Sequence, residues 1–152
     1  MKIELEPIGI VKNSRLTPSD DFWGSVVSEI MLADHIPDEA FSSISDFSHL
    51  EVIFYFDKAL STDKVFAGRP RGNPAYPVTG IFAQRKKDRP NAMGLSAVEL
   101  LEHKGRSIIV KNLDAIDGTP ILDIKPVFRE FQPKGEIKQP AWAADLMKDY
   151  WR

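Results

Sequence analysis

Gly94–Leu113, GLSAVELLEHKGRSIIVKNL, is the stretch whose reading decides the fold. Its second half is plain. Ser107–Leu113 is β-branched and apolar, as a strand is, and HKGR at 103–106 looks like the hairpin turn that leads into it. The first half is divided. Leu95, Val98 and Leu101 recur at helical spacing, and Ala97, Glu99 and Leu100 favour helix, yet a hairpin needs a strand here. The pattern leaves these two readings nearly even, so the decision passes to the neighbouring segments.

Those neighbours lean towards β. Leu50–Phe56 (LEVIFYF) is β-branched and aromatic and reads as a central strand buried on both faces. Ile3–Val11 alternates weakly and holds Pro7 and Gly9, which suits an edge strand. Ser25–Leu32, Val78–Gln84 and Ile121–Val127 read as further strands, the last stopping at a proline. Helix is expected twice. Around 37–47, Pro37, Asp38 and Glu39 suit a first turn, and Ile36, Ala40, Phe41, Ile44 and Phe47 form one stripe. Around 140–151, Trp142, Ala143, Leu146, Met147 and Tyr150 share a face. Five or more short strands with few helices predict a mainly β fold, a small barrel or sandwich. The 152 residues are expected to form a single domain.

Composition removes several classes of function. Lys plus Arg is 20 and Asp plus Glu is 22, a net charge of −2, which excludes a uniformly basic coat for nucleic acid. The charge is uneven, however. Residues 67–91 hold six cations and one anion, a local charge of +5. The absence of cysteine excludes disulfides, thiolate zinc sites and cysteine nucleophiles. His35, His49 and His103 are not spaced as a metal pair, so no metal is expected. No apolar run approaches the roughly 20 residues of a membrane span. MKIELEPIG carries charge where a signal peptide is apolar, so a cytoplasmic location without membrane contact is expected.

Two constellations could carry chemistry. Arg85-Lys86-Lys87-Asp88-Arg89-Pro90-Asn91 follows a loop holding Arg69 and Arg71. A lone charge run is usually a solvated turn. Two basic loops on either side of one strand point instead to capture of an anion, for which arginine is the favoured side chain. The second constellation is Asp114-Ala115-Ile116-Asp117-Gly118-Thr119-Pro120, followed by Asp123 and Lys125. Its carboxylates can accept hydrogen bonds from ribose hydroxyls or an ammonium group, or can simply build an Asx turn. Asp123 and Lys125 alternate with apolar neighbours and so share one sheet face. The glycines form neither G-x-G-x-x-G nor a P-loop, and no G-x-S-x-G or H-E-x-x-H is present, which argues against a Rossmann-type site and against those hydrolases.

With EPIGIVKNS, DFSHLEVIFYF and RPRGNP upstream, the strings GIFAQRKKDRPNAMGLSAVELL and LDAIDGTPILDIKP resemble the TsaA-like family, also called TrmO-like or YaeB-like. The resemblance runs over residues 5–127, leaving 128–152 as an extension. D-x-x-D-G-T-P-x-x-D-I-K-P is its most specific string. The resemblance implies a small β-barrel-like fold that binds S-adenosyl-L-methionine near a homodimer interface. It also implies N6-methylation of threonylcarbamoyl-adenosine at position 37 of tRNA. It places Phe56, Asp57, Arg85, Leu95, Asp114, Ala115, Ile116 and Asp117 on the cofactor, with the loop at Phe22 and Trp23 nearby. Arg69, Arg71, Lys86, Lys87, Arg89 and Asn91 would then hold the tRNA. Asp123 and Lys125 are the candidates for positioning the nucleophile or moving its proton.

The sequence departs from the family pattern at 85–91, where R-S-P-x-R-P-N is usual, and at Val127, where tyrosine usually follows D-I-K-P. Longer bacterial members add a C-terminal domain. These departures keep two alternatives open: methyl transfer to a small molecule or other nucleotide, and a non-catalytic module that binds S-adenosylmethionine or RNA. Trp142, Tyr150 and Trp151 are expected to close one end of the barrel or to make a dimer contact.

Overall fold

The computed structural model describes residues 1–59 and 65–152. Residues 94–103 are strand. β6 (Met93–Lys104) turns at Gly105, which has φ +56°, into β7 (Ser107–Lys111). The helical stripe fails because Leu95 and Leu101 point outward, each nearly half exposed, whereas Gly94, Ser96 and Val98 face inward. Alternation wins because β6 finds a partner along its length. It pairs with β3 (His49–Tyr55) from His49↔Glu99 to Tyr55↔Met93. A register shift between Leu100 and Glu102 lets this 12-residue strand bend round to β7.

The remaining barrel strands are β1 (Gly9–Lys12), β2 (Val27–Leu32) and β8 (Pro120–Pro126). Numbering β4 (Ala67–Gly68) and β5 (Thr79–Gly80) as the separate two-stranded sheet, the barrel closes in the order β1-β2-β7-β6-β3-β8. Every pairing is antiparallel. Closure leaves no barrel edge to protect. Inside stand Val11, Ile30, Leu50, Val52, Phe54, Val98, Ile108, Val110 and Ile121, each almost fully buried. At roughly 1.5–3 kcal/mol per buried side chain, this interior is the main source of stability.

Four expectations are corrected. β1 is no edge strand: it bonds β2 on one side and β8 on the other, and it starts only after Pro7. β3 is not buried on both faces: Leu50, Val52 and Phe54 are inside, while Glu51, Ile53 and Tyr55, on the outer face of the barrel wall, are half-exposed. The 78–84 strand shrinks to Thr79–Gly80, and Ile81–Ala83 becomes a 3-10 turn that buries Ile81 and leaves Phe82 exposed. Around 37–47 there are two 3-10 turns, Asp38–Phe41 and Ile44–Asp46, separated where Ser43 takes φ +61°. The Arg106 guanidinium holds this segment through Asp38 and the carbonyls of Ala33 and Ile36. The C-terminal helix α1 spans Ala141–Met147, and turns carry the chain on to Trp151. Among the described residues no helix is long and apolar enough to cross a membrane.

Candidate functional site

The site forms where the β6–β7 pairing ends. Lys111 still pairs with Glu99, then Asn112 takes φ +68° and the chain reaches Asp114 beside the inward-facing Ser96. Ser96 Oγ donates to one Asp114 carboxylate oxygen, and Tyr150 Oη donates to the other at 2.5 Å. Ser96 is buried, so the carboxylate is its means of satisfying a hydroxyl that would be costly to leave unpaired.

Tyr150 arrives from beyond α1. It packs in a second small core with Trp23, Val26 and Ile116. The Phe22 N–H donates to the Asp149 carbonyl at 3.1 Å, and the Trp23 N–H donates to the Tyr150 carbonyl at 2.7 Å. Gly24 lets the Trp151 carbonyl come close: a β-carbon there would stand 1.8 Å from that oxygen. The Arg15 guanidinium lies over the Trp23 ring, 4.4 Å from its centroid.

Burial, and then the charge of Asp114, push the Tyr150 phenol far above its ordinary range; Arg85 and Arg71 pull it partly back. A raised folded-state value favours the neutral phenol. Its stabilising contribution is therefore complete below the ordinary value of 10.0 and is lost as pH rises above it. Urea midpoints of the wild type should fall more steeply above that pH than those of Tyr150→Phe. Equal slopes would show that the phenol is not held against Asp114.

A second cluster braces α1. Arg71, at φ +50°, grips Asp21 with two hydrogen bonds of 2.9 and 2.8 Å, and these bonds are the main cause of its raised pKa. Tyr76 Oη donates to Asp145 of α1, which holds that carboxyl below its usual range. The Tyr76 and Trp142 rings lie 6.2 Å apart. A cleft of about 130 Å³ remains among Asp21, Arg71, Tyr76, Asp145, Lys148 and Asp149.

The residues expected from the sequence divide between contact positions and scaffold. Arg85 Nη2 donates to the Leu95 carbonyl at 2.5 Å, and its charge reaches Tyr150. Asp117 Oδ1 accepts the Asn13 N–H at 3.0 Å, a bond between distant segments and not the local Asx turn that the sequence offered. Ala115 and Ile116 are buried, and the Ala115 carbonyl accepts from Asn13 Nδ2 at 2.8 Å. Phe56 meets the core edge-on at Phe54, with ring centroids 5.2 Å apart, and Asp57 pairs with Lys58 at 3.4 Å.

Leu95, Ile53 and Asp123 are paired neighbours across β6, β3 and β8 on the outer face, where Asp123 is bridged to Lys125. Asp123 and Lys125 thus stand on the outer face, in the row of Leu95, whose carbonyl the Arg85 guanidinium bonds. Of the basic residues, Arg69 bonds the Pro74 and Tyr76 carbonyls, and Arg89 bonds those of Gln84 and Lys86. Lys86 lies 3.6 Å from Asp88, Lys87 is exposed, and so is Asn91. Sequence reasoning missed Ser96, Asn13 and Asp21. Only Ser96 left a signal, a polar residue at an inward slot of an alternating strand.

Residues 12–132 match the family described as the tRNA-methyltransferase O N-terminal domain. The chain belongs to this family. An S-adenosyl-L-methionine-binding protein of Archaeoglobus fulgidus is 37% identical over 125 residues, covering 80% of this chain and 86% of the relative. A tRNA (adenine(37)-N6)-methyltransferase of Escherichia coli is 38% identical over 125 residues, covering 76% of this chain and 53% of the relative. A crystal structure of TrmO superposes with a TM-score of 0.73 at 26% identity, covering 91% of this chain and 64% of that one. The chain spans 22–64% of several longer relatives that it matches. Asp114, Arg85 and Leu95 lie within the tRNA-methyltransferase O N-terminal domain match; α1 and Tyr150 lie beyond it.

Proposed function

We propose that this chain is an S-adenosyl-L-methionine-dependent methyltransferase that modifies N6 of adenosine 37 in tRNA. The observation that carries this reading is the Asp114 carboxylate, with Trp23 and Ile116 as apolar surface beside its Tyr150 partner and the Arg85 guanidinium, bonded to the Leu95 carbonyl, close enough to act on that phenol. These groups fit the cofactor in kind: a carboxylate suits its ribose hydroxyls or ammonium, a guanidinium suits its carboxylate, and apolar walls suit its adenine. When bound, the cofactor supplies an activated methyl group on a sulfonium. Names carried by relatives, an S-adenosyl-L-methionine-binding protein and a tRNA (adenine(37)-N6)-methyltransferase, support the same reading.

The chain's own work is then chiefly positioning. Asp114 accepts hydrogen bonds from the donor, and Arg85 pairs with its acid end. Asp123 and Lys125, in the same outer row as Leu95, orient the acceptor or take its proton. Lys86 and Lys87 hold RNA phosphates, since Arg69, Arg71 and Arg89 bond within the protein. A homodimer, with exposed apolar residues such as Leu95 and Met93 near its interface, completes the reading, and a tRNA substrate places the protein in the cytoplasm.

The double variant Lys86→Ala/Lys87→Ala should weaken tRNA binding and make the slope of log K against log salt shallower by about 2. An unchanged slope in a salt titration would remove both lysines from the RNA surface.

A further inference from the structure

The site has a physical peculiarity. Both oxygens of Asp114 already hold donors, and the apolar wall beside it, made by Trp23 and Ile116, is covered by the Tyr150 ring. The adjoining cleft is about 130 Å³, whereas sites for small molecules run roughly 300–1,000 Å³. That cleft is too small for a molecule built of an adenosine and a methionine chain, and the Tyr150 ring fills the apolar surface beside Asp114. A ligand that uses this surface together with Asp114 takes the place of Tyr150.

The segment carrying Tyr150 is built to leave. α1 has seven residues, well short of the length at which a helix is stable by itself, and none of them is fully buried. Its hold on the rest of the chain includes the Tyr76–Asp145 hydrogen bond, two backbone bonds to Phe22 and Trp23, and the phenol on Asp114. Such sparse burial marks the part of a fold that opens first.

We infer that residues 141–152 form a displaceable strap, whose Tyr150 occupies the Asp114 end of the methyl-donor site and is expelled when the donor binds. Tyrosine is a fitting occupant because it offers what adenosine offers, a flat ring together with a hydroxyl donor. The strap lowers apparent donor affinity by the fraction of molecules that are closed. This inference rests on the methyl-donor reading above.

The test titrates S-adenosylmethionine calorimetrically into the full-length wild type, Tyr150→Phe and Gly24→Ala. Tyr150→Phe keeps the packing but removes the bond to Asp114. Gly24→Ala keeps the phenol but puts a methyl where the Trp151 carbonyl sits. Both should bind the donor more tightly, Tyr150→Phe by about tenfold for loss of one hydrogen bond to a charged group. In the wild type, added donor should speed hydrogen exchange at the amides of Phe22 and Trp23, whose acceptors are on the strap. Unchanged or weaker binding by both variants, or slower exchange at those amides, overturns the strap while leaving the methyl-donor reading intact. Failure of all three proteins to bind the donor overturns both.

Discussion

Phe54→Ala should destabilise the barrel by about 3–5 kcal/mol, the cost of emptying a large aromatic site from a packed interior. Phe54 is 1% exposed, and it sits where β3 bonds both β6 and β8. Its ring lies over Gly94 on the neighbouring strand: a β-carbon there would stand 2.3 Å from the ring carbon Cε2. Glycine is present at 94 because this wall needs the space for the ring. Gly94→Ala should therefore cost about 1–3 kcal/mol through overpacking. The two effects should not add, since removing the ring removes the clash. Thermal unfolding of the two single variants and the double variant checks this, with roughly 2–4 °C expected per kcal/mol. Strict additivity would mean that Phe54 and Gly94 do not share this space.

Asp114→Ala carries the second large effect, and it acts on stability and on binding together. The substitution leaves the Ser96 and Tyr150 hydroxyls without their acceptor, which costs about 1–3 kcal/mol. It also removes the carboxylate proposed to receive the methyl donor. A lost charged hydrogen bond of about 1.5–3 kcal/mol corresponds to roughly 10–150-fold in donor affinity. Ser96→Ala separates the two effects, because it removes a donor and keeps the carboxylate. It should lower the melting temperature while holding donor affinity within a few-fold. If Asp114→Ala bound S-adenosylmethionine as well as Tyr150→Phe, in which the bond between the phenol and Asp114 is also absent, the site would lie elsewhere.

The strands were legible wherever alternation or a β-branched run was strong, as at 50–56 and 107–113. The undecided segment 94–103 shows the limit of local pattern. Its helical stripe is genuine in sequence, and only the hydrogen-bonding partners, β3 beside Leu95 and β7 around Leu101, turn these two residues outward. The reading of β3 as doubly buried failed for a related reason, since Ile53 and Tyr55 are apolar but stand on the outer face of the barrel, where they stay partly exposed.

The candidate site divides along similar lines. Asp114 was visible because it belongs to a specific string, and Arg85 because it begins a charge cluster. Asp117 lay in the same string, and its carboxylate accepts the N–H of Asn13, a partner distant in sequence. Ser96, Asn13 and Asp21 act through partners distant in sequence, and local spacing carries little trace of such pairs. The basic loops were legible as charge but not as function. Arg69 and Arg89 turn inward to carbonyls, leaving Lys86 and Lys87 as the surface that tRNA would meet.

The most direct measurement is methyl transfer to tRNA. Purified protein is incubated with S-adenosylmethionine labelled on its methyl group and with tRNA lacking the position-37 methyl, and the nucleosides are then separated by mass. The account predicts label on N6 of the adenosine at position 37, with S-adenosylhomocysteine formed in equal amount. Binding of the donor with no label in tRNA would contradict it.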